Sequence, residues 1–229
     1  MTSILERTTA SDYLFALLFI VGLPLVLLTV RMFDLRARRK LAAARTAFVR
    51  QVGGSEYFED SPVRPSFGYF PFHRPDSPYT HYSYAVEFQR SGYDVLLYEE
   101  NLHKGFCVKV QVRIPNCPEL WMEPQHFEFL RPPRRLIAIQ PPGRRKFLLA
   151  TADEHFARMV VDEEVAELIY QHRIKGEFSE TVLEHGTARA DVRGERLEGQ
   201  QEVLPDVARL IAFLRALPPR TWDYAKDHR

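Results

Sequence analysis

The stretch FCVKVQVRI, residues 106–114, decides the fold class of this chain. Apolar side chains at every second position alternate with Cys, Lys, Gln and Arg, which is typical of a β-strand with one face in a core. Residues 82–89 and 93–99 are rich in Tyr, Val and Leu, and Ser91-Gly92 between them predicts a hairpin. The sequence therefore predicts a mostly antiparallel sheet that begins near residue 82.

The apolar period changes after residue 150, where helices are expected. The capping-box spacing from Thr151 to Glu154 predicts one helix, and Asp162 is a candidate N-cap of a second. A third helix is predicted over 203–217, because its apolar residues form one stripe that ends at two prolines. The predicted fold class is therefore α+β, a mostly antiparallel sheet with helices late in the chain.

The N-terminal part of the chain contains a long apolar run. Residues 13–30 read YLFALLFIVGLPLVLLTV, 18 residues without a charge. A helix needs roughly 20 apolar residues to cross a bilayer, so the run predicts a single transmembrane helix at 13–33. A buried soluble helix would have a polar face, and a cleaved signal peptide would have basic residues before its apolar core; neither pattern is present.

A basic segment follows the apolar run. Residues 31–50 hold seven Lys and Arg against one Asp, so the positive-inside rule predicts that the rest of the chain is cytoplasmic, at a plasma membrane such as a bacterial inner membrane. Asp34 is a candidate N-cap of a separate helix that ends at Gly53-Gly54. Two readings remain open for this segment: contact with anionic lipid, or a topology signal alone. The candidate juxtamembrane contacts are Arg36, Arg38, Arg39 and Lys40.

Residues 55–81 combine many prolines with many aromatic residues. Proline at this density excludes a helix or a central strand, whereas disordered linkers are poor in aromatic residues. We expect an ordered, extended strap that packs on the domain, with a partner-docking face as the alternative.

A second basic cluster surrounds Pro141-Pro142-Gly143, which predicts a turn between strands at 134–140 and 144–150. Such a hairpin would form a basic ribbon, able to face lipid headgroups or a phosphorylated ligand, or simply a solvated surface. The candidate contacts for an anionic ligand or lipid are Arg134, Arg135, Arg144, Arg145 and Lys146.

The search for catalytic chemistry finds no familiar motif for nucleotides, serine hydrolysis or zinc. A Cys107–His103 pair lacks a third group, and the carboxylates of Glu163, Glu164 and Glu167 are typical of a solvated helix face. We therefore predict no enzyme activity, no cofactor and no metal. The balance of 31 Lys and Arg against 30 Asp and Glu argues against a nucleic-acid partner.

The sequence predicts a single-pass membrane protein whose cytoplasmic domain is an interaction or assembly module, with membrane lipid and one protein as partners. A membrane-tethered ligand-binding domain and an enzyme without a familiar motif are the alternatives. The predicted organisation is a short extracytoplasmic N-terminus (1–12), the transmembrane helix (13–33), a basic helix (34–54), the connector (55–81), the α+β domain (82–219) and a C-terminal tail (220–229).

Overall fold

The computed structural model describes residues 18–58, 62–67, 81–102, 105–124, 136–140, 147–175, 178–184, 186–192 and 203–227. The chain divides into two compact units, Met1–Thr46 and Ala47–Arg229. Each unit is described by itself below.

The second unit contains a nine-stranded antiparallel sheet in the order β1-β2-β3-β4-β9-β8-β5-β7-β6. Its strands are β1 (Ser55–Phe58), β2 (His81–Arg90), β3 (Tyr93–Leu102), β4 (Gly105–Arg113), β5 (Leu120–Pro124), β6 (Ile137–Ile139), β7 (Phe147–Thr151), β8 (Phe178–Glu184) and β9 (Thr187–Val192). The predicted α+β class with a large antiparallel sheet is confirmed.

The hairpin between β2 and β3 forms where the sequence predicts it. Ser91 has φ 54° and Gly92 has φ 81°, so both central residues of the two-residue turn are left-handed, as a type I′ turn requires. This turn fixes the register that follows, with Arg90 opposite Tyr93 and Phe88 opposite Val95. This register places Val86, Phe88, Val95 and Leu97 on the same face of the sheet.

Four helices follow in the second half of the chain: α2 (Glu154–Val160), α3 (Glu163–Lys175), α4 (Val203–Ala216) and α5 (Arg220–Asp227). The N-cap of α2 is Asp153, whose carboxylate accepts the Phe156 N–H at 3.0 Å, and not Thr151. The Thr151 hydroxyl donates instead to the Glu119 carbonyl at 2.7 Å. Asp162 caps α3 as predicted, because its carboxylate accepts the Val165 N–H at 2.9 Å.

The segment expected to be a C-terminal tail contains α5. Its Tyr224 hydroxyl donates to Asp153 at 2.7 Å, and Arg220 forms an ion pair with Asp162. One short helix therefore contacts the N-caps of both α2 and α3.

The main core of the second unit lies between one face of the sheet and the helices. Buried residues of β2, β3 and β4 share this core with residues of all four late helices. Phe48 is also part of it and meets the Phe88 ring edge-on, with the centroids 6.1 Å apart. A smaller cluster of Ala85, Leu96 and Tyr98 lies among the strand residues that alternate with the core residues, on the opposite face of the sheet.

The N-terminal helix differs from the sequence prediction in two ways. A π-helical turn at Leu18–Gly22 leads directly into α1 (Leu23–Val52), and none of the helices described in the structure is both long enough and apolar enough to span a bilayer. The predicted transmembrane helix at 13–33 is therefore not supported: residues 13–17 lie outside the described part, and the uncharged stretch of α1 ends at Val30, before Arg31.

The predicted helix start at Asp34 is also wrong. Residues on both sides of Asp34 are already helical, so its carboxylate forms an ion pair with Arg38 at 2.9 Å and caps no N-terminus. The predicted stop is confirmed: Gly53 is left-handed at φ 63°, and the Gly54 N–H donates to the Val49 carbonyl at 3.1 Å.

Candidate functional site

The first unit exposes an unusual number of large apolar side chains. We define the apolar segment as residues 19–33. Its exposed members are Phe19, Ile20, Val21, Leu23, Leu25, Val26, Leu27, Leu28, Val30, Met32 and Phe33. Large contiguous apolar surfaces are rare on soluble monomers and mark contact sites for a partner or a membrane.

The exposure runs around the whole circumference of the helix. Eight consecutive residues, 23–30, are all exposed, so no face of this stretch is turned toward a core. A helix that docks in a protein groove has one apolar stripe and one polar face. Apolar residues on every face instead fit an environment that is apolar on every side.

Two positions in the apolar segment, Pro24 and Thr29, leave no hydrogen-bond donor that needs water. Pro24 has no N–H to donate back along the helix, and the preceding residues form the π-helical turn Leu18–Gly22. The Thr29 hydroxyl donates to the Leu25 carbonyl at 2.5 Å, so this polar group is satisfied without water.

The basic residues predicted after the apolar run lie directly beyond it in α1. We define the basic collar as Arg36, Arg38, Arg39 and Lys40, all of which are exposed. Arg38 is paired with Asp34. Among the residues that the structure describes, Arg36, Arg39 and Lys40 form no ion pair.

The second set of predicted contacts lies outside the described residues. Arg134, Arg135, Arg144, Arg145 and Lys146 are all in this group. The strands on either side do pair antiparallel, with Ile137 opposite Thr151 and Ile139 opposite Leu149. The antiparallel pairing agrees with the prediction, but a two-residue turn at Pro142-Gly143 would set Ile137 opposite Leu148, so the register differs by three residues. The arrangement of the basic residues stays a prediction.

The sheet face away from the helices contains a polar belt that the sequence did not predict. Lys109 lies opposite Asp191 in the register, and its ammonium is 2.9 Å from the carboxylate. Gln111 donates to the Tyr98 hydroxyl at 3.2 Å, and burial raises the pKa of Tyr98 to about 12. The raised pKa keeps the Tyr98 phenol protonated near neutral pH, so Tyr98 is not an acid–base catalyst there.

The described part of the connector packs on this same face. The Glu87 carboxylate accepts the Tyr57 hydroxyl at 3.1 Å and the Ser66 N–H at 2.8 Å, and it also accepts the Ser66 hydroxyl. The Arg113 guanidinium lies 4.8 Å from the centre of the Phe67 ring. These contacts fit the strap interpretation for residues 62–67, which we call the strap. Residues 55–58, expected in the strap, instead form strand β1, so the sheet begins earlier than residue 82.

Within the described residues, no group of three His, Cys, Asp or Glu could hold a metal ion. Burial raises the pKa of the Cys117 thiol to about 12, so this thiol stays protonated and unreactive. His103 and the side chain of Cys107, the weak catalytic candidate, lie outside the described part.

Neither the protein-family models nor the curated proteins contain a match to this chain. A solved structure does match: the crystal structure of the mycobacterial trehalose monomycolate transport factor A, TtfA. The chain is similar in fold to TtfA. The alignment covers 79% of this chain and 98% of TtfA with a TM-score of 0.54, at 12% sequence identity. At that identity the likeness concerns the fold alone.

Proposed function

We propose that this protein is a membrane-attached interaction module with a lipid-related role. The observation that carries this proposal is the exposure of the apolar segment on every side of its helix. Eleven large apolar side chains in contact with water forgo on the order of 15 kcal/mol or more of hydrophobic free energy. Contact with lipid recovers that free energy without requiring a matching groove.

The fold similarity supports the lipid-related part of the proposal. TtfA is named as a trehalose monomycolate transport factor. We infer that the α+β domain of this chain likewise works beside lipid, as an interaction or assembly module for another protein. We further infer that it lies at the cytoplasmic surface of a plasma membrane, where basic residues are retained and anionic lipid is abundant.

Two valines provide a matched test of membrane attachment. Val26 in the apolar segment and Val63 in the strap region are equally exposed, at 58% and 61%. A charge in the hydrocarbon costs about 2.5–3.5 kcal/mol on insertion scales, so Val26→Asp should lower vesicle binding roughly a hundredfold. Val63→Asp adds the same charge outside the segment and should bind like the wild type.

The binding is measured by flotation of the full-length chain with phosphatidylcholine vesicles. Equal flotation of Val26→Asp and wild type would reject lipid contact by the apolar segment. For the interaction role, gentle solubilisation of native membranes followed by native mass spectrometry should yield the chain with a stoichiometric protein partner. Recovery of the chain alone would reject an assembly module.

A second candidate, motivated by the basic residues of the sequence, is binding of an anionic ligand at the basic hairpin; the pairing of β6 with β7 supports the strands of that hairpin alone. Charge reversal at Arg134, Arg135, Arg144 and Arg145 should then abolish binding to a phosphorylated ligand while leaving circular dichroism unchanged. Unchanged binding of inorganic phosphate by that variant would dismiss this candidate.

A further inference from the structure

The basic collar has a geometry that a simple stripe of charge does not have. Successive residues of an α-helix are about 100° apart, so Arg36, Arg38, Arg39 and Lys40 point over an arc of roughly 200°. All four are exposed. The positive charge therefore surrounds much of the helix, in the turns that follow the apolar segment.

The position of the collar along α1 matches the depth of a headgroup layer. At about 1.5 Å per residue, Arg36 lies roughly 5 Å and Lys40 roughly 10 Å beyond Phe33 along the helix axis. The polar layer on each side of the hydrocarbon is on the order of 5–8 Å thick. When Phe33 lies at the edge of the hydrocarbon, Arg36 and Arg38 therefore lie among the headgroups, and Arg39 and Lys40 lie just outside them, within reach through their long side chains.

We propose that the basic collar binds anionic phospholipid headgroups and makes this module select negatively charged membranes. This proposal rests on lipid contact by the apolar segment. Arg36, Arg39 and Lys40 form no ion pair with an acidic side chain among the described residues, whereas Arg38 is paired with Asp34. Each unpaired cation near a charged surface raises affinity roughly fivefold, so three give on the order of a hundredfold.

Lipid is favoured over other anionic partners because the collar continues directly from the apolar segment. Nucleic acid would leave those apolar residues in water, and the chain as a whole has a net charge of only +1. A guanidinium can also contact a phosphate through two parallel hydrogen bonds, and three of the four collar residues are arginines.

The experiment compares vesicles of phosphatidylcholine alone with vesicles that also contain phosphatidylglycerol, using the full-length chain. The collar variant is Arg36→Gln/Arg39→Gln/Lys40→Gln. Its control, Arg50→Gln/Arg158→Gln/Arg209→Gln, removes the same net charge at three exposed sites outside the collar, of which Arg158 and Arg209 are ion-paired with Glu154 and Asp206. Wild type and control should prefer the anionic vesicles by about a hundredfold at low salt, and the collar variant should lose that preference.

A second variant, Asp34→Asn, should raise the affinity for anionic vesicles instead of lowering it. The substitution releases Arg38 from its ion pair, so affinity for the anionic vesicles should rise severalfold while affinity for neutral vesicles stays constant. An equal loss of preference in the control and collar variants would overturn the proposal in favour of a net-charge effect, and so would an unchanged preference in the collar variant. If the wild type binds both kinds of vesicle equally well, only the proposal for the basic collar is rejected. If the wild type binds neither kind of vesicle, the proposed membrane attachment is rejected as well.

Discussion

The apolar segment and the core of the second unit are both rich in apolar residues, but the first exposes them and the second buries them. Phe33 and Phe48 belong to the same helix, α1, yet Phe33 is 65% exposed and Phe48 is 1% exposed. Phe48 packs with strand residues whose apolar side chains recur at every second position, so one face of the sheet collects them. The apolar segment has no such period and no polar face. The difference indicates that pattern, more than apolar content, decides whether a segment is buried by its own chain.

The pair of phenylalanines provides the largest expected effect. Phe48→Ala should lower the free energy of unfolding by about 3–5 kcal/mol, because it removes a buried ring and leaves a cavity beside Phe88. Phe33→Ala should change it by less than about 0.5 kcal/mol, since its ring packs in no core. Urea denaturation followed by circular dichroism measures both.

Vesicle flotation of the same two variants should give the reverse order. Phe33→Ala removes apolar surface from the proposed lipid contact, while Phe48→Ala leaves that contact intact. If Phe33→Ala destabilised the fold as much as Phe48→Ala, the contrast between the two regions would be wrong.

Acid provides the next test, because the second unit contains two carboxylates that favour the folded state. The Phe156 N–H and the Tyr224 hydroxyl hold the pKa of Asp153 below its ordinary value. The Val165 N–H and Arg220 do the same for Asp162. A carboxyl whose pKa is lower when folded contributes stability that is complete above the unfolded pKa of about 3.9 and is lost as pH falls through the folded value.

We therefore expect the unfolding free energy of the wild type to decrease below about pH 4 more steeply than that of Asp153→Asn/Asp162→Asn. At neutral pH the double variant should be slightly less stable, by about 0.3–1 kcal/mol for each site, because asparagine still caps a helix but lacks the negative charge that favours its N-terminus. Parallel urea titrations at several pH values would show the effect, and identical slopes for the two proteins would contradict it. Tyr224→Phe should reproduce part of the change through Asp153.

Much of the second unit could be predicted because its signals are local. The alternation at 106–114, the Ser91-Gly92 turn and the Asp162 cap each depend on a few adjacent residues, and the structure contains all three. The insertion of β9 between β4 and β8 is not local, since its pairing with β4 joins residues about 80 positions apart. No short window of sequence contains that information.

The same limit explains what was missed in the candidate site. Lys109 and Gln111 alternate with valines and were expected on the outer face of a strand, yet Gln111 is only 1% exposed. Their partners Asp191 and Tyr98 are identified only by the sheet register. By contrast, the apolar segment and the basic collar are readable directly, because each consists of consecutive residues.

The smallest expected effect lies in the strap, which is intermediate between the two regions compared above. Phe67 is partly buried against Ala85, Leu96 and Tyr98, but the polar contacts of the strap converge on the exposed Ser66 and on Glu87. Hydrogen bonds that water can replace contribute little to stability, so Ser66→Ala should lower the unfolding free energy by about 0.5–1 kcal/mol.

Glu87→Gln should cost more than Ser66→Ala, because Glu87 also accepts the Tyr57 hydroxyl. Hydrogen exchange at the Ser66 amide should increase in Glu87→Gln, since the carboxylate that accepts this N–H loses its charge. An unchanged exchange rate would mean that the contacts of Glu87 do not hold the strap, and that other contacts, such as the apolar contact of Phe67, do. If the Phe67 contact holds it, the strap, like the core and unlike the apolar segment, is held by apolar surface that the chain itself buries.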